Sequence, residues 1–171
     1  MLPAHYQTYI DEASRQLPEV RKLFALLKKR KPANLDAIMA DLHEEAFDAI
    51  DCLQCARCCA TLGPRITDRD ITRMAKSLRY KPSQLADSYL KIDEDGDYVF
   101  KTMPCPFLGA DNYCAVYPDR PQACSGYPHT DRRRFVQLLD ITLLNIKICP
   151  AVALISLMMI NKKGNKNLFF K

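Results

Sequence analysis

The sequence predicts a mainly α fold, a single irregular helical domain with one small β-hairpin and long loops. Three observations predict it. Apolar side chains recur at helical spacing in several separate stretches. Eleven prolines stand against five glycines, with no tryptophan, which suits helices joined by stiff loops rather than a glycine-turned β protein. Asp95-Gly96 lies between two short strand-like runs, as a tight hairpin requires. With 171 residues, 48% of them hydrophobic, the chain can build one sizeable core.

In order, Tyr6, Ile10, Ala13, Leu17, Val20, Phe24 and Leu27 alternate by four and three along one helical face. Pro18 removes a backbone donor, so this segment is two collinear helices or one helix kinked there. Lys28 to Lys31 then sit at a helix C-terminus, where cations are favoured. Pro32 restarts the chain, and Leu35, Ile38, Met39, Leu42, Ala46 and Ile50 mark a second amphipathic helix that delivers Cys52. Thr67-Asp68-Arg69-Asp70 has the form of a capping box ahead of Ile71, Met74, Ala75 and Leu78. Ser83 is expected to cap a short helix running through Leu90. Asp93-Glu94-Asp95-Gly96-Asp97 has the alternating acids of a calcium loop, but the twelfth position from Asp93 is Pro104 where a glutamate is needed. A hairpin with Tyr98-Val99-Phe100 on the return strand is the better reading. Met103 to His129 is proline-rich and irregular. Asp131 is expected to cap a helix carrying Phe135, Leu138, Leu139, Thr142, Leu143 and Ile146. Pro150 opens a last helix, Ala151 to Ile160, apolar nearly all round and so either buried or in contact with a partner. The basic tail from Lys162 to Lys171 reads as frayed, with Phe169 and Phe170 able to dock.

The chemistry lies in the cysteines. Cys52, Cys55, Cys58 and Cys59 fall within eight residues, and Cys105, Cys114, Cys124 and Cys149 follow in loop-forming sequence. Single buried thiols are common in cores, yet a core has no use for four in eight positions. Thiols this dense form either a disulfide framework or a metal site. Met1 to Leu17 is polar and charged, without the basic start, apolar run and cleavage site of a secretory peptide. A reducing, cytoplasmic setting is therefore expected, and metal is the reading that follows. Eight thiolates suffice for two four-sulfur sites, each suited to zinc or an iron–sulfur cluster, and metal would staple the long loops.

Three positions carry finer expectations. In an extended loop the side chains of Cys58 and Cys59 point to opposite sides, so the doublet would serve different sites. Pro150 suits the first position of a helix, placing Cys149 at its N-cap, where free N–H groups and the helix dipole stabilise a thiolate. His129 follows Tyr127-Pro128 near the cysteines and is a candidate ligand or supporting group. His43, in the middle of a helix, reads as a surface or core residue, and His5 has no cysteine near it.

The formal charge of +5 gives little reason to expect nucleic acid, because ionising eight thiols around two zinc ions would bring it to about +1. Lys28 to Lys31, Arg132 to Arg134 and Lys162-Lys163 are explained as solvated helix ends. Ile146 to Ile160 is too short for a membrane span and is broken by Lys147 and Pro150. A complete catalyst is not expected. The glycines never fall within two residues of one another, as a Rossmann turn requires. Cys55-x₃-Cys59 is followed by Leu62 where a radical-type cysteine triad needs its third member. The chain is also shorter than a (β/α)₈ barrel.

The run Cys52-x₂-Cys55-x₂-Cys58-Cys59 is followed by Pro104-Cys105-Pro106-Phe107-Leu108, Cys114-Ala115-Val116-Tyr117 and Arg120-Pro121-Gln122-Ala123-Cys124. It resembles the bacterial cysteine-cluster proteins of the YkgJ type, described as a zinc- or iron-chelating domain. The resemblance runs from about Cys52 to Cys149 and carries all eight cysteines onto the family's pattern, with Tyr127-Pro128 as its aromatic-proline ending. One departure is Ala56-Arg57, where family members often carry glycine. The resemblance implies metal binding. Some relatives are described as flagellin lysine N-methylases, which implies an enzyme component as a third reading.

The expected organisation is helices over 1–51 packing on the domain, a cysteine-cluster metal-binding domain over 52–160 and a basic tail over 161–171. Two functions compete: an iron–sulfur protein with a redox or electron-transfer role and a redox partner, or a structural zinc module that recognises another protein. Neither partner nor oligomeric state is readable, and zinc and iron–sulfur accept the same four thiolates.

Overall fold

The computed structural model describes residues 2–163 and Phe169. Its elements are α1 (Ala4–Arg15), α2 (Leu17–Arg30), α3 (Leu35–Ala49), α4 (Cys52–Cys55), α5 (Arg57–Thr61), α6 (Asp68–Ser77), α7 (Pro82–Tyr89), β1 (Leu90–Ile92), β2 (Tyr98–Phe100), α8 (Gln122–Ser125), α9 (Leu139–Asn145) and α10 (Pro150–Lys163). Single 3₁₀ turns lie at Tyr117–Asp119 and Phe135–Leu138. The fold is mainly helical with one antiparallel hairpin, as the periodicity and the Asp95-Gly96 turn predict. The chain divides into two compact units, one of residues 1–55 with 128–171 and one of residues 56–127.

The first unit is a helical assembly around α10, which packs against α1, α2, α3 and α9. The predicted stripes meet there: Tyr6, Ile10 and Ala13 of α1, Val20, Leu23, Phe24 and Leu27 of α2, and Leu35, Met39, Leu42 and Ala46 of α3 are buried. The chain breaks at Gln16, and Pro18 sits in the first turn of α2, where its missing N–H costs nothing. Lys28, Lys29 and Arg30 occupy the last turn of α2, and Lys31 closes it in the left-handed conformation. Ala151, Val152, Ala153, Ile155 and Met159 of α10 are buried, so its apolar circumference is explained by packing within this unit. The buried Ser156 hydroxyl donates to the Val152 carbonyl at 2.8 Å, which removes the cost of an unmatched polar group. Phe169 is buried against the same core, while Phe170 lies outside the described residues. Among the described residues no single helix is long and apolar enough to cross a membrane.

Two caps differ from the sequence expectation. Asp131 does not cap the helix after it. Instead the carboxylate of Asp36, on α3, accepts the N–H groups of Arg134 and Phe135 at 2.7 and 2.9 Å. The cap is delivered by tertiary structure from a residue far away in sequence. Likewise α7 starts two residues early, with Lys81 as N-cap and Pro82 as first helical residue. Ser83 is therefore inside the helix, and Gln84 Oε1 reaches back to the Lys81 N–H at 2.9 Å.

The second unit is built on α6, α7 and the hairpin, with Ile66, Ile71, Met74, Ala75, Leu85, Leu90, Phe100, Phe107 and Val116 in its core. Leu90 pairs with Phe100 and Ile92 with Tyr98, and Gly96 takes the turn at φ +81°. The acidic run serves this turn, because Asp93 Oδ1 accepts the N–H groups of Asp95 and Asp97 at 3.0 and 2.9 Å. The capping box at Thr67 forms, with Asp70 as its acidic member. Asp70 does more than cap. Only 1% exposed, its carboxylate also accepts Arg73 Nη2 at 2.6 Å and the Gln122 N–H at 3.0 Å. Arg73 in turn donates to the carbonyls of Asp119 and Arg120 at 3.3 and 2.8 Å. Burial pushes the Asp70 carboxyl up, but the Thr67, Arg73 and Gln122 donors outweigh it and hold it below the usual aspartate range.

Removing this carboxylate leaves several donors without an acceptor. Asp70→Ala is expected to destabilise by about 3 kcal/mol, against about 1 kcal/mol for Thr67→Ala. Because the two side chains share one network, the double variant should cost less than the sum, as denaturant unfolding would show. A double variant whose cost equals the sum would dissolve the network.

Ala56 holds φ +47° and ψ +11° between α4 and α5, the left-handed conformation that glycine adopts freely. The departure from glycine at this place therefore carries strain of roughly 1–2 kcal/mol. Ala56 is 6% exposed, and its methyl group offsets about 0.8 kcal/mol of that by burial, while the stiffer unfolded chain offsets another 0.4–1, roughly. Ala56→Gly is accordingly expected to shift stability by less than about 1 kcal/mol, and the β-branched Ala56→Val to cost about 2 kcal/mol or more in chemical denaturation.

Candidate metal centre

Each cysteine is placed by a local device. In the first unit, Asp51 caps the single turn of α4: its Oδ1 accepts the Leu53 N–H at 2.9 Å, and its own N–H is held by the Tyr6 hydroxyl at 2.8 Å. This turn carries Cys52, which is exposed, and Cys55, which packs on the α10 core. Cys149 ends the segment before α10 and packs on the same core. Its sulfur receives the Ala151 and Val152 N–H groups, the N-cap arrangement expected from Pro150.

The N-cap does not by itself make Cys149 an anion. Burial dominates and pushes its thiol up to about 12; the two N–H groups pull the other way, and the charges of Cys52 and Cys55 push further up. Without a metal Cys149 is therefore a neutral thiol aimed at a helix N-terminus, which only a nearby cation would ionise.

In the second unit, Cys58 and Cys59 lie on the single helical turn of α5, not in an extended loop. Neighbouring side chains on a helix diverge by about 100° rather than 180°, and here the two sulfurs are 3.9 Å apart. The bond from Cys58 is the main cause that lowers the Cys59 thiol to about 7, with burial opposing and the Arg120 charge assisting. The Cys105 N–H donates to the Cys59 carbonyl at 2.9 Å, which ties the long loop to α5. Cys105 and Cys114 are joined through Leu108, whose N–H bonds to the Cys105 carbonyl at 3.0 Å and which bridges to Cys114. Both pack on the second core. Cys124 is on α8, whose first N–H is the one bound by Asp70.

These thiols feel one another. Burial raises Cys105 to about 11, Cys124 to about 12 and Cys114 as well, and for all three a charge on Cys59 raises them further. Arg120 opposes this at Cys59, Cys114 and Cys124. Its guanidinium is fixed 3.9 Å over the Tyr117 ring and donates to the Tyr117 carbonyl at 2.6 Å. The arrangement ionises Cys59 most easily and disfavours a second thiolate beside it.

The donor chemistry suits zinc or an iron–sulfur cluster, since the gathered groups are thiols. Among the described residues no three or more His, Cys, Asp or Glu side chains are gathered closely enough to hold an ion as they stand, and no cysteine is in a disulfide. His43 Nδ1 lies 2.7 Å from the Thr130 hydroxyl and its ring packs on Phe47, while His5 packs on Tyr6. His129 takes the left-handed conformation at φ +67° in the first unit. Sequence reasoning missed Asp51, the Asp70–Arg73 clamp and Arg120. The capping box pointed to Asp70; nothing in the spacing pointed to its bond with Gln122.

No curated protein and no solved structure matches the chain. A family model matches residues 51–143, with the description CxxCxxCC, "Putative zinc- or iron-chelating domain". The match covers more than half of the chain and includes every cysteine except Cys149. With residues 51–143 matched, a span that holds seven of its eight cysteines, the chain belongs to the CxxCxxCC family of zinc- or iron-chelating domains.

Proposed function

We propose that the protein binds metal through Cys52, Cys55, Cys58, Cys59, Cys105, Cys114, Cys124 and Cys149, holding zinc, an iron–sulfur cluster or both. What supports the reading is a backbone framework: the Cys105 N–H bonds to the Cys59 carbonyl at 2.9 Å, Leu108 bridges Cys105 to Cys114, and Asp70 holds the start of the turn that carries Cys124. An iron–sulfur cluster would supply one-electron transfer and a role with a redox partner; zinc would supply a closed structural site. A reducing, cytoplasmic setting goes with either, because only reduced thiols can ligate. Arg120 holds a positive charge beside the sulfurs, and the Asp70–Arg73 clamp fixes the segment that carries both Arg120 and Cys124.

Anaerobic purification followed by metal and acid-labile sulfide analysis tests the reading. Tightly held zinc or iron with thiols protected from alkylation is expected; metal-free chain with four stable disulfides would end it. Cys149→Ser should lower metal content and the thermal midpoint together, whereas His5→Ala and His43→Ala should leave metal content unchanged.

Protons provide a second check. At pH 7, metal loading should liberate close to one proton from each of Cys105, Cys114 and Cys124 and about half a proton from Cys59, given thiols raised well above 7 and one lowered to about 7. Calorimetry in buffers of different ionisation enthalpy would count them. In the metal-free chain the raised thiols stabilise the fold while they stay protonated. That contribution is complete below the ordinary thiol value near 9 and is lost as pH rises toward about 12 through the folded values of Cys105, Cys124 and Cys149. The thermal midpoint of metal-free protein should therefore fall above about pH 9; a flat profile would contradict the burial of these thiols.

A further inference from the structure

We propose that the cysteines divide by structural unit: Cys59, Cys105, Cys114 and Cys124 are the four ligands of one metal centre carried within residues 56–127, and Cys52, Cys55 and Cys149 belong to a separate centre in the other unit. The inference rests on the metal-binding reading above and supplies the partition which that reading leaves open.

Backbone geometry carries the first set. The Cys105 N–H is bonded to the Cys59 carbonyl at 2.9 Å, and the Leu108 N–H to the Cys105 carbonyl at 3.0 Å. Leu108 forms a bridge with Cys114, and the Ala115 N–H donates to the Phe107 carbonyl at 2.8 Å. Cys59, Cys105 and Cys114 are thus held in one hydrogen-bonded framework. Cys124 joins through the buried Asp70 carboxylate, which binds the first N–H of α8 at 3.0 Å and the Arg73 guanidinium that grips Asp119 and Arg120. Cys105 and Cys114 both pack on the core of this unit.

The second set has its own framework. Tyr6, buried on α1, fixes Asp51, and Asp51 caps the turn that carries Cys52 and Cys55. Cys149 stands at the start of α10, and Cys55 and Cys149 pack on the same α10 core. Each set is therefore anchored through two of its members to a different hydrophobic core, and each framework fixes the backbone that carries its cysteines. Cys58 is outside the four, which narrows the eight-cysteine reading above by one: it adjoins Cys59 on the same helical turn, its sulfur 3.9 Å from that of Cys59, and four thiolates already complete a closed site. A centre with three thiolates leaves a coordination position for a fourth ligand.

The test uses full-length protein, stripped and reloaded anaerobically with zinc alone, with zinc counted by mass spectrometry and every thiol mapped by alkylation. The unsubstituted chain should take up about two ions. Cys114→Ser should halve the uptake and expose Cys59, Cys105 and Cys124 to alkylation, while Cys52, Cys55 and Cys149 stay protected; Cys124→Ser gives the same readout should Cys114→Ser not fold. Cys52→Ser, at an exposed position, should do the reverse, and Cys58→Ser should leave Cys105, Cys114 and Cys124 protected. Labelling of Cys149 in Cys114→Ser, or of Cys114 and Cys124 in Cys52→Ser, would overturn the division while leaving metal binding intact. An unsubstituted chain that takes up no zinc and is labelled at all eight positions would instead remove the metal-binding reading itself.

Discussion

A thiol and a thiolate place opposite demands on a fold. The neutral thiol is among the easiest polar groups to bury, and the thiolate is among those that most need a compensating charge. Both units are arranged around this difference. Cys105, Cys124 and Cys149 are desolvated enough to stay protonated well above neutral pH, while Cys59, bonded by Cys58, ionises near 7. The protein can thus bury most of these thiols and still fold, because a protonated thiol brings no charge into the interior.

The two units solve the placement problem differently. Around α10 the core is continuous and helical, and its cysteines sit at helix ends: Cys52 and Cys55 bound the turn of α4, and Cys149 receives the first N–H groups of α10. In residues 56–127 the donors lie on single helical turns and on irregular chain, so a buried carboxylate does the work that helix packing does elsewhere. Asp70 lies at the start of α6 and binds the start of α8, two elements 52 residues apart in sequence. A charged residue with 1% exposure would be costly in isolation; four neighbouring donors make it a fixed point instead.

Much of the helical framework was legible because its information is local. The four-and-three alternation through Tyr6, Ile10 and Ala13 is present in any short window, as are the Thr67 capping box and the Asp95-Gly96 turn. What could not be read depends on partners distant in sequence. Asp131 has the right chemistry for a cap, but Asp36, on α3, takes the role because tertiary packing brings its carboxylate to Arg134 and Phe135. Ser83 lost the N-cap to Lys81 for a local reason, since Pro82 is better accommodated as the first helical residue. The cysteines were conspicuous from spacing alone, whereas spacing carries no information about which core each one rests on. An extended backbone at the doublet is corrected by α5, a helical turn that leaves the two sulfurs 3.9 Å apart.

Arg120 gives the cluster a sign that the donor list alone does not convey. Four thiolates around one Zn²⁺ would carry a net charge of about −2, and four around a [4Fe–4S]²⁺ cluster the same. A cation held in place by the Tyr117 ring and carbonyl, itself on a segment gripped by Arg73, opposes that charge whichever metal is bound. For zinc the effect ends there, as the charge of the ion is fixed. For an iron–sulfur cluster an added electron deepens the negative charge, and a nearby cation favours the reduced form. One fixed guanidinium is therefore a stabiliser in the first case and a tuner of potential in the second, and only in the second does its distance from the sulfurs matter to function.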